Sequence, residues 1–413
     1  MNSDTSIFLT KSDFKLNKKN LNIVKGTSEQ APWREDFTPR TFWFDNKGEK
    51  ILFFVNREKI WRRSFYASYY VMDLKTKNII SVSKVNKKLR NAKFSPDGTK
   101  VAYVREDNNI YVYDLIKLKE KKLTSNGSKV LLNGHLGWVY EEEFGSFDGY
   151  RWSPDSKNIA YWEENQSNVP LFKMFDEISL YPTIKEIHYP KAGEINPTMS
   201  IFVVNVKRGN RKKMSIGDNH DTYYPWIKWT NNSALKVMRM NRLQNHWDLL
   251  NVSIKNGKSN KGLSESDPKG WVELHRNYFF LKDDKILWLS ERSGWHHIYI
   301  HNSNGEKIRQ LTSGKWEVKR IIKVDESNNK IFFTANKESV FETKFYSVNF
   351  DGSNLTLLTN EPGSHSVKIL PNGDAFIDSY SSLVSPGKHV LKNMDGDVIN
   401  VIREKSKSQF DLY

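Results

Sequence analysis

Short apolar stretches with a period of two recur along the chain, each closed by a turn rich in Ser, Pro, Asp, Asn or Gly. This pattern predicts β-hairpins rather than helices. The unit is clearest in Ala92-Lys93-Phe94-Ser95-Pro96-Asp97-Gly98-Thr99-Lys100-Val101-Ala102-Tyr103, which returns as Tyr150-Arg151-Trp152-Ser153-Pro154-Asp155-Ser156-Lys157-Asn158-Ile159-Ala160-Tyr161. Each copy reads as a short strand, a tight turn and an apolar strand of alternating character. Proline suits the second position of a type I turn, and Gly98 can take the left-handed backbone that closes the hairpin. Degenerate copies run from Phe42-Trp43-Phe44 to Phe53-Phe54, from Ile227-Lys228-Trp229 to Val237-Met238, and from Tyr278-Phe279-Phe280 to Ile286-Leu287-Trp288. Two more run from Ile321-Ile322-Lys323 to Phe332-Phe333 and from Val367-Lys368-Ile369 to Phe376-Ile377.

About seven copies at a spacing of roughly 45–75 residues lie within or above the repeat range of propeller blades. Most are followed by a further strand ending in a turn, as in Ile110-Tyr111-Val112-Tyr113-Asp114-Leu115 and Ile298-Tyr299-Ile300-His301-Asn302. Four strands per unit is the plan of a blade, and blades closed on one another leave few exposed edges. The expected fold is all-β: a β-propeller of about seven to eight four-stranded blades, with room for an incomplete first blade. Residues 38–403 make the propeller body. Residues 1–37 are a segment that is partly irregular or completes a blade by strand addition through Ile7-Phe8-Leu9, and residues 404–413 are a tail. The wider gaps around residues 110–150 and 160–225 read as insertions, and helical periodicity is scarce.

Composition changes this picture little. The 413 residues are 38% hydrophobic and 13% aromatic, enough for a packed core and suited to strands. There is no Cys, which removes disulfides and thiolate metal sites. No apolar run is long enough to cross a bilayer, and Met1-Asn2-Ser3-Asp4-Thr5 lacks the basic-then-apolar pattern of a signal peptide. The net charge of +16, from 64 Lys+Arg against 48 Asp+Glu, raises the question of nucleic acid. Lys is scattered through turns such as Lys18-Lys19, Lys87-Lys88, Lys121-Lys122 and Lys212-Lys213, with no basic arm or nucleic-acid motif. Specific nucleic-acid binding is therefore not expected, only salt-sensitive attraction to polyanions.

The segment with the most chemistry is Trp138-Val139-Tyr140-Glu141-Glu142-Glu143-Phe144, three carboxylates directly after an aromatic run. Like charges in a poorly solvated place cannot all ionise freely, so a bound cation would relieve the conflict. The same residues would also suit an ordinary solvated acidic turn. His296-His297 raises the question of a metal, but adjacent histidines on a strand diverge and no carboxylate ligand motif accompanies them, so no metal and no cofactor are expected. Trp152, Trp229 and Trp316 stand at repeat-like positions and read as core.

Several separate motifs, in order, carry a resemblance. They are Trp61-Arg62-Arg63-Ser64 with Tyr66-Ala67-Ser68-Tyr69, the Trp138 to Glu143 run, and Pro170-Leu171 with Tyr181-Pro182. Tyr189-Pro190-Lys191-Ala192-Gly193 with Asn196-Pro197-Thr198, then Glu291-Arg292-Ser293-Gly294-Trp295-His296-His297-Ile298-Tyr299 and Leu311-Thr312-Ser313-Gly314-Lys315-Trp316-Glu317-Val318, follow. From about residue 38 to about residue 400 the sequence resembles the N-terminal β-propeller of the dipeptidyl peptidase IV family. The resemblance implies a part in an exopeptidase that releases N-terminal dipeptides, commonly with Pro or Ala second. It implies that Glu142 and Glu143 hold the substrate's free amine and that Arg62 contacts its backbone carbonyl or carboxyl side. Two carboxylates suit an ammonium group with three N–H donors, and Arg offers a rigid fork of donors. Adjacent residues on a strand point to opposite faces, so convergence of Glu142 and Glu143 predicts a short helical turn, with Glu141 directed elsewhere. On its own residues, Arg62 also reads as a surface Arg stacked on Trp61.

The family's catalytic residues belong to a C-terminal hydrolase domain, and no Gly-x-Ser-x-Gly elbow occurs here. The nearest approach, Gly262-Leu263-Ser264-Glu265-Ser266, is expected in a polar loop, and no catalytic residue is assigned. Two readings stand: the substrate-recognition propeller of a dipeptidyl peptidase, completed by a hydrolase domain or subunit encoded separately, or a free-standing propeller that binds peptides or partner proteins without catalysis. Peptides with a free N-terminus are the expected partners. Bacterial relatives imply an exported or periplasmic setting, which this chain does not itself signal.

Overall fold

The computed structural model describes residues 41–404 apart from 86, 179, 218–220, 275 and 276. The expected N-terminal segment with Ile7-Phe8-Leu9 and the tail beyond Glu404 lie outside the described residues. The chain divides into two compact units, Met1–Asn260 and Lys261–Tyr413.

In the first unit four antiparallel sheets follow one another. The first holds strands Phe42–Phe44, Lys50–Lys59, Phe65–Asp73 and Ile79–Ser81 in sequence order, and the second holds Arg90–Phe94, Lys100–Val104, Ile110–Asp114 and Lys119–Lys122. The third runs Tyr150–Trp152, Asn158–Asn165, Thr198–Asn205, Arg211–Lys213, with Leu131–Asn133 beside the far end of Asn158–Asn165. In the fourth, Thr222–Tyr223 and Ile227–Asn231 both pair with Ala234–Asn241, followed by His246–Ser253 and Ser259–Ser266, the last crossing residue 260. The second unit adds sheets over residues 279–310, 318–357 and 364–404, four strands each.

All seven hairpins read from the sequence are antiparallel strand pairs of these sheets, and in five sheets they are the first two strands. Phe94 faces Val101 and Trp152 faces Ile159, so the two clearest copies share one register. Gly98 has φ +69, and Ser156, its counterpart, holds the same left-handed backbone at φ 60 despite its side chain. The strand Ser259–Ser266 corrects one expectation: Gly262 to Ser266 form ladder, not a polar loop, with Leu263 buried.

The alternation expected of the second strands is overridden by packing. Lys100–Val104 and Ile286–Ser290 are buried almost throughout, because in each unit a sheet packs on both faces against its neighbours. One apolar cluster joins the first and second sheets through Leu52, Tyr69, Val101 and Tyr103, and another joins the second and third through Ala102, Val112, Ile159 and Tyr161. A third, around Trp162, Ile201, Val237 and Leu250, joins the third and fourth. Trp229 and Trp316 are buried in such clusters, while Trp152 is half-buried at the rim of one.

The scattered lysines acquire a purpose in this stacking. Lys121, on the fourth strand of the second sheet, donates from Nζ to the carbonyls of Val206 (3.1 Å) and Lys207 (2.6 Å) in the turn of the third. Lys212 does the same to Lys255 (2.6 Å) one sheet on, and in the second unit Arg309 Nη1 donates to Asp351 O at 2.7 Å. A cation on each of these edge strands satisfies turn carbonyls that the next ladder leaves open.

Histidines in the second unit make its stability pH-dependent. His301 is completely buried, its Nδ1–H donating to Gly305 O at 3.1 Å. Burial, with the nearby Arg292 charge adding to it, pushes its pKa down to about 4. Burial also lowers His297, whose ring nitrogens face Thr312 Oγ1 and Gly314 O. The unfolded chain takes up these protons near pH 6.5 and the native chain only lower, so stability falls as pH drops from about 6.5 towards 4. In urea titrations between pH 7 and 5, His301→Gln should remove up to about 1.4 kcal/mol per pH unit of that fall. An unchanged slope would mean that His301 is not responsible.

Candidate functional site

The insertion between the second and third sheets carries the helix α1, Trp138–Phe144. It is the short helical element that convergence of Glu142 and Glu143 requires. Gly145, at φ 58, ends it in a left-handed cap. A helix this short has little stability of its own, so its orientation comes from tertiary bonds. Tyr140 Oη accepts the Tyr224 N–H at 2.9 Å, and Ser146 Oγ donates to Pro225 O at 3.1 Å. On the other flank Lys93 Nζ bonds both Asp148 oxygens at 2.7 and 2.8 Å. Burial pulls Lys93 down to about 8, and Asp148 is held below the usual carboxylate range by Lys93 and Arg151 against its own burial. Arg90 Nη1 donates to His135 Nδ1 at 2.8 Å, leaving Nε2–H for Asn108 Oδ1 at 2.7 Å. Burial and the Arg90 charge therefore keep His135 neutral, well below its ordinary pKa.

The three glutamates fan out around α1, as residues about 100° apart on a helix must. Glu141 is completely buried, and its Oε1 accepts the backbone N–H groups of Arg63 at 2.5 Å and Ser64 at 2.9 Å. Arg63 Nη1 donates in return to the Glu141 carbonyl at 3.3 Å. This exchange fastens the Trp61-Arg62-Arg63-Ser64 turn of the first sheet to the helix. Arg62 then reaches Glu142, with Nε 3.1 Å from Oε2; the Glu142 side chain is 22% exposed and that of Arg62 70%. Glu143 is exposed on the next face, towards Tyr223, whose phenol is raised chiefly by burial with the Glu143 charge adding to it. The structure thus joins Arg62 to Glu142 directly, while Glu143 leaves the same turn on the adjacent face, towards Tyr223. Lys185 Nζ lies over the Trp61 ring, 4.9 Å from its centroid.

Two other stretches singled out in the sequence meet here. Trp138 packs on Tyr189 at 4.3 Å between centroids, and Tyr189 on Phe172 at 5.5 Å. Phe172 belongs to a projecting hairpin, Leu171–Asp176 with Thr183–His188. An aromatic wall therefore stands beside the carboxylate-bearing helix.

Sequence reading missed Lys93, Asp148 and the buried Glu164, which accepts the Gly137 N–H at 2.8 Å. No local signal marks them: Lys93 follows Arg90 and Asn91 in its strand, and Glu164 lies between Glu163 and Asn165 near the end of its own. Sequence reading also missed the cluster of Glu361, His365 and Asp378, whose ligand-type atoms lie within 4.8 Å of one another. There Lys392 Nζ already stands 2.7 Å from Glu361 and 3.4 Å from Asp378, supplying the positive charge from the protein itself.

Comparison with known proteins identifies the family. The chain matches the family model for the dipeptidyl peptidase IV (DPP IV) N-terminal region over residues 45–387. It is 29% identical to dipeptidyl peptidase 4 of Trichophyton rubrum over 396 residues, 91% of this chain and 50% of that protein. It is 30% identical to a probable dipeptidyl-aminopeptidase B of Metarhizium robertsii over 378 residues, 83% of this chain and 41% of that protein. The crystal structure of Porphyromonas gingivalis dipeptidyl peptidase 4 superposes with a TM-score of 0.84 at 30% identity, covering 94% of this chain and 55% of that one. A putative dipeptidyl aminopeptidase IV from Bacteroides ovatus shares the fold, with a TM-score of 0.72 at 21% identity over 98% of this chain and 56% of that one. The chain spans about half the length of these relatives. With its blade-like sheets and a family match running through most of its length, the chain belongs to the dipeptidyl peptidase IV N-terminal region family and has the all-β propeller fold class.

Proposed function

We propose that this chain is the substrate-recognition propeller of a dipeptidyl peptidase IV-like exopeptidase, with Glu142 and Glu143 holding the free amine of a peptide and Arg62 a backbone carbonyl. The observation that carries the reading is the junction of Arg62 and Glu142 at 3.1 Å on a helix that presents Glu143 one residue on. An ammonium group brings three donors and one charge, and two carboxylates on one turn meet both needs. The Arg62–Glu142 pair is open to solvent on the Arg62 side, so it is weak and exchangeable. An arriving amine can take over the Glu142 carboxylate and leave the guanidinium to a carbonyl. Hydrolysis falls to a domain or subunit other than this propeller, and free peptide N-termini are its partners.

The test compares a short peptide amide, Ala-Pro-Ala, with its N-acetyl form by calorimetric titration on this chain. The free amine should bind at least about tenfold more tightly, a difference of about 1.4 kcal/mol. Glu143→Gln should abolish most of that preference without changing thermal unfolding. Equal affinity for both peptides on the unaltered chain would refute amine recognition.

A further inference from the structure

We infer that Glu164, on the second strand of the third sheet, is a positioning residue for the amine-binding carboxylates: by holding the Gly137 N–H it sets where α1 begins and so where Glu142 and Glu143 stand. The inference rests on the amine-recognition reading above and adds to it a residue that touches neither carboxylate.

Glu164 is completely buried between Leu132 and Met199, its ladder partners on either side. Its Oε2 accepts the Gly137 N–H at 2.8 Å, and its Oε1 accepts the Gln166 side-chain amide at 2.7 Å. Among the described residues no ion pair reaches it. A buried carboxylate served by two neutral donors is a costly arrangement, and burial raises its pKa accordingly. Such a group is favoured where it faces the positive end of a helix. Gly137 is the N-cap of α1, has extended backbone (φ −79, ψ −172) and makes no side-chain capping bond, so the glutamate does from a neighbouring strand what a capping side chain does locally.

The close approach explains the glycine. A Cβ on residue 137 would lie 2.5 Å from Glu164 Oε1 and closer still to Gln166 Nε2. The carbonyl of Gly137 in turn accepts the Glu141 N–H at 3.2 Å. One relay therefore runs from Glu164 through Gly137 to Glu141, and on to the backbone of Arg63 and Ser64. Both halves of the recognition site, the α1 carboxylates and the Arg62 turn, are fixed at its far end.

The experiment repeats the paired titration of Ala-Pro-Ala amide and its acetylated form on Glu164→Gln, Glu164→Leu and Gly137→Ala, with the unaltered chain and Glu143→Gln alongside and unfolding measured for each. Glutamine keeps an acceptor for Gly137 and should keep the free-amine preference within about threefold. Leucine removes the acceptor and should lower the preference at least about tenfold while unfolding stays cooperative. Gly137→Ala, which forces Glu164 aside with its acceptor intact, should do the same. A folded Glu164→Leu chain that retains the full preference overturns the inference. Should that variant fail to fold, retention of the preference by Gly137→Ala overturns it instead. If the unaltered chain itself does not distinguish the peptides, amine recognition fails and takes this role with it. If that chain and Glu143→Gln behave as expected and only the Glu164 and Gly137 variants do not, the positioning role alone is wrong.

Discussion

Replacing Glu141 with leucine is expected to destabilise the first unit by about 2–4 kcal/mol, because the N–H groups of Arg63 and Ser64 lose the buried oxygen they share as acceptor. The carboxylate is fully buried and both donors end on one oxygen, so no side chain nearby can take over both bonds. Glu141→Gln keeps a carbonyl acceptor and should lose about 1 kcal/mol. Urea unfolding of the two variants checks the order. The consequence for binding is larger than that for folding. Release of the Trp61-to-Ser64 turn frees Arg62 from its place beside Glu142, so the guanidinium proposed to hold a carbonyl and the carboxylates proposed to hold an amine no longer share a geometry. The leucine variant should therefore bind both the free and the acetylated peptide more weakly, whereas Glu143→Gln affects only the free one. A leucine variant as stable as the parent would mean that the Glu141 bonds contribute nothing net.

The hairpins were legible because their signals are local. A Ser-Pro-Asp-Gly turn fixes a register within a few residues, and all seven hairpin pairs in the structure fall where the turns put them. The helix over Trp138–Phe144 was legible for a different reason: two neighbouring carboxylates cannot share a target from a strand. What was not legible depends on partners distant in sequence. Glu141 could be expected to turn away from its neighbours, but its acceptors' role for residues 63 and 64 arises only when the first sheet folds against the insertion. Glu164 is read from sequence as one more acid at a strand end, since nothing local announces that Gly137 will meet it. The second strands misled for the same reason, since burial on both faces comes from sheet stacking and erases the alternation that a half-exposed strand would keep.

Charge shows the limit of reading from totals. The excess of 16 positive charges suggests a surface for polyanions, yet particular cations are spent inside the fold. Lys121 and Lys212 close turn carbonyls, Lys93 holds Asp148, and Lys392 neutralises Glu361 and Asp378. Lys93 and Lys392 pair with carboxylates that packing removes from water, and Lys121 and Lys212 tie the exposed turns of one sheet to the edge of the next, so the basic balance of this chain is in part a packing device.

Trp162→Ala should destabilise the first unit by about 3–5 kcal/mol, as for other buried tryptophans cut to alanine. The ring is 1% exposed within the cluster that joins the third and fourth sheets, and its indole N–H donates to Tyr224 O at 2.8 Å. The same Tyr224 gives its N–H to Tyr140 on α1, so the tryptophan supports the helix through one intermediary. Its backbone brackets the insertion as well: Trp162 O accepts from Gly134 and Trp162 N donates to Gly149 O, both at 3.0 Å. Trp162→Phe retains most of the apolar surface and loses the indole bond, so it should lose only about 1–2 kcal/mol. Thermal and urea unfolding separate the two variants, and amide exchange adds the decisive comparison. With phenylalanine, residues 134–149 should stay protected. With alanine their protection should fall further than that of the second sheet, since the insertion depends on Trp162 and the second sheet has its own core with the first. Equal loss of protection in both regions would mean that the tryptophan stabilises the unit as a whole and has no particular hold on the recognition helix.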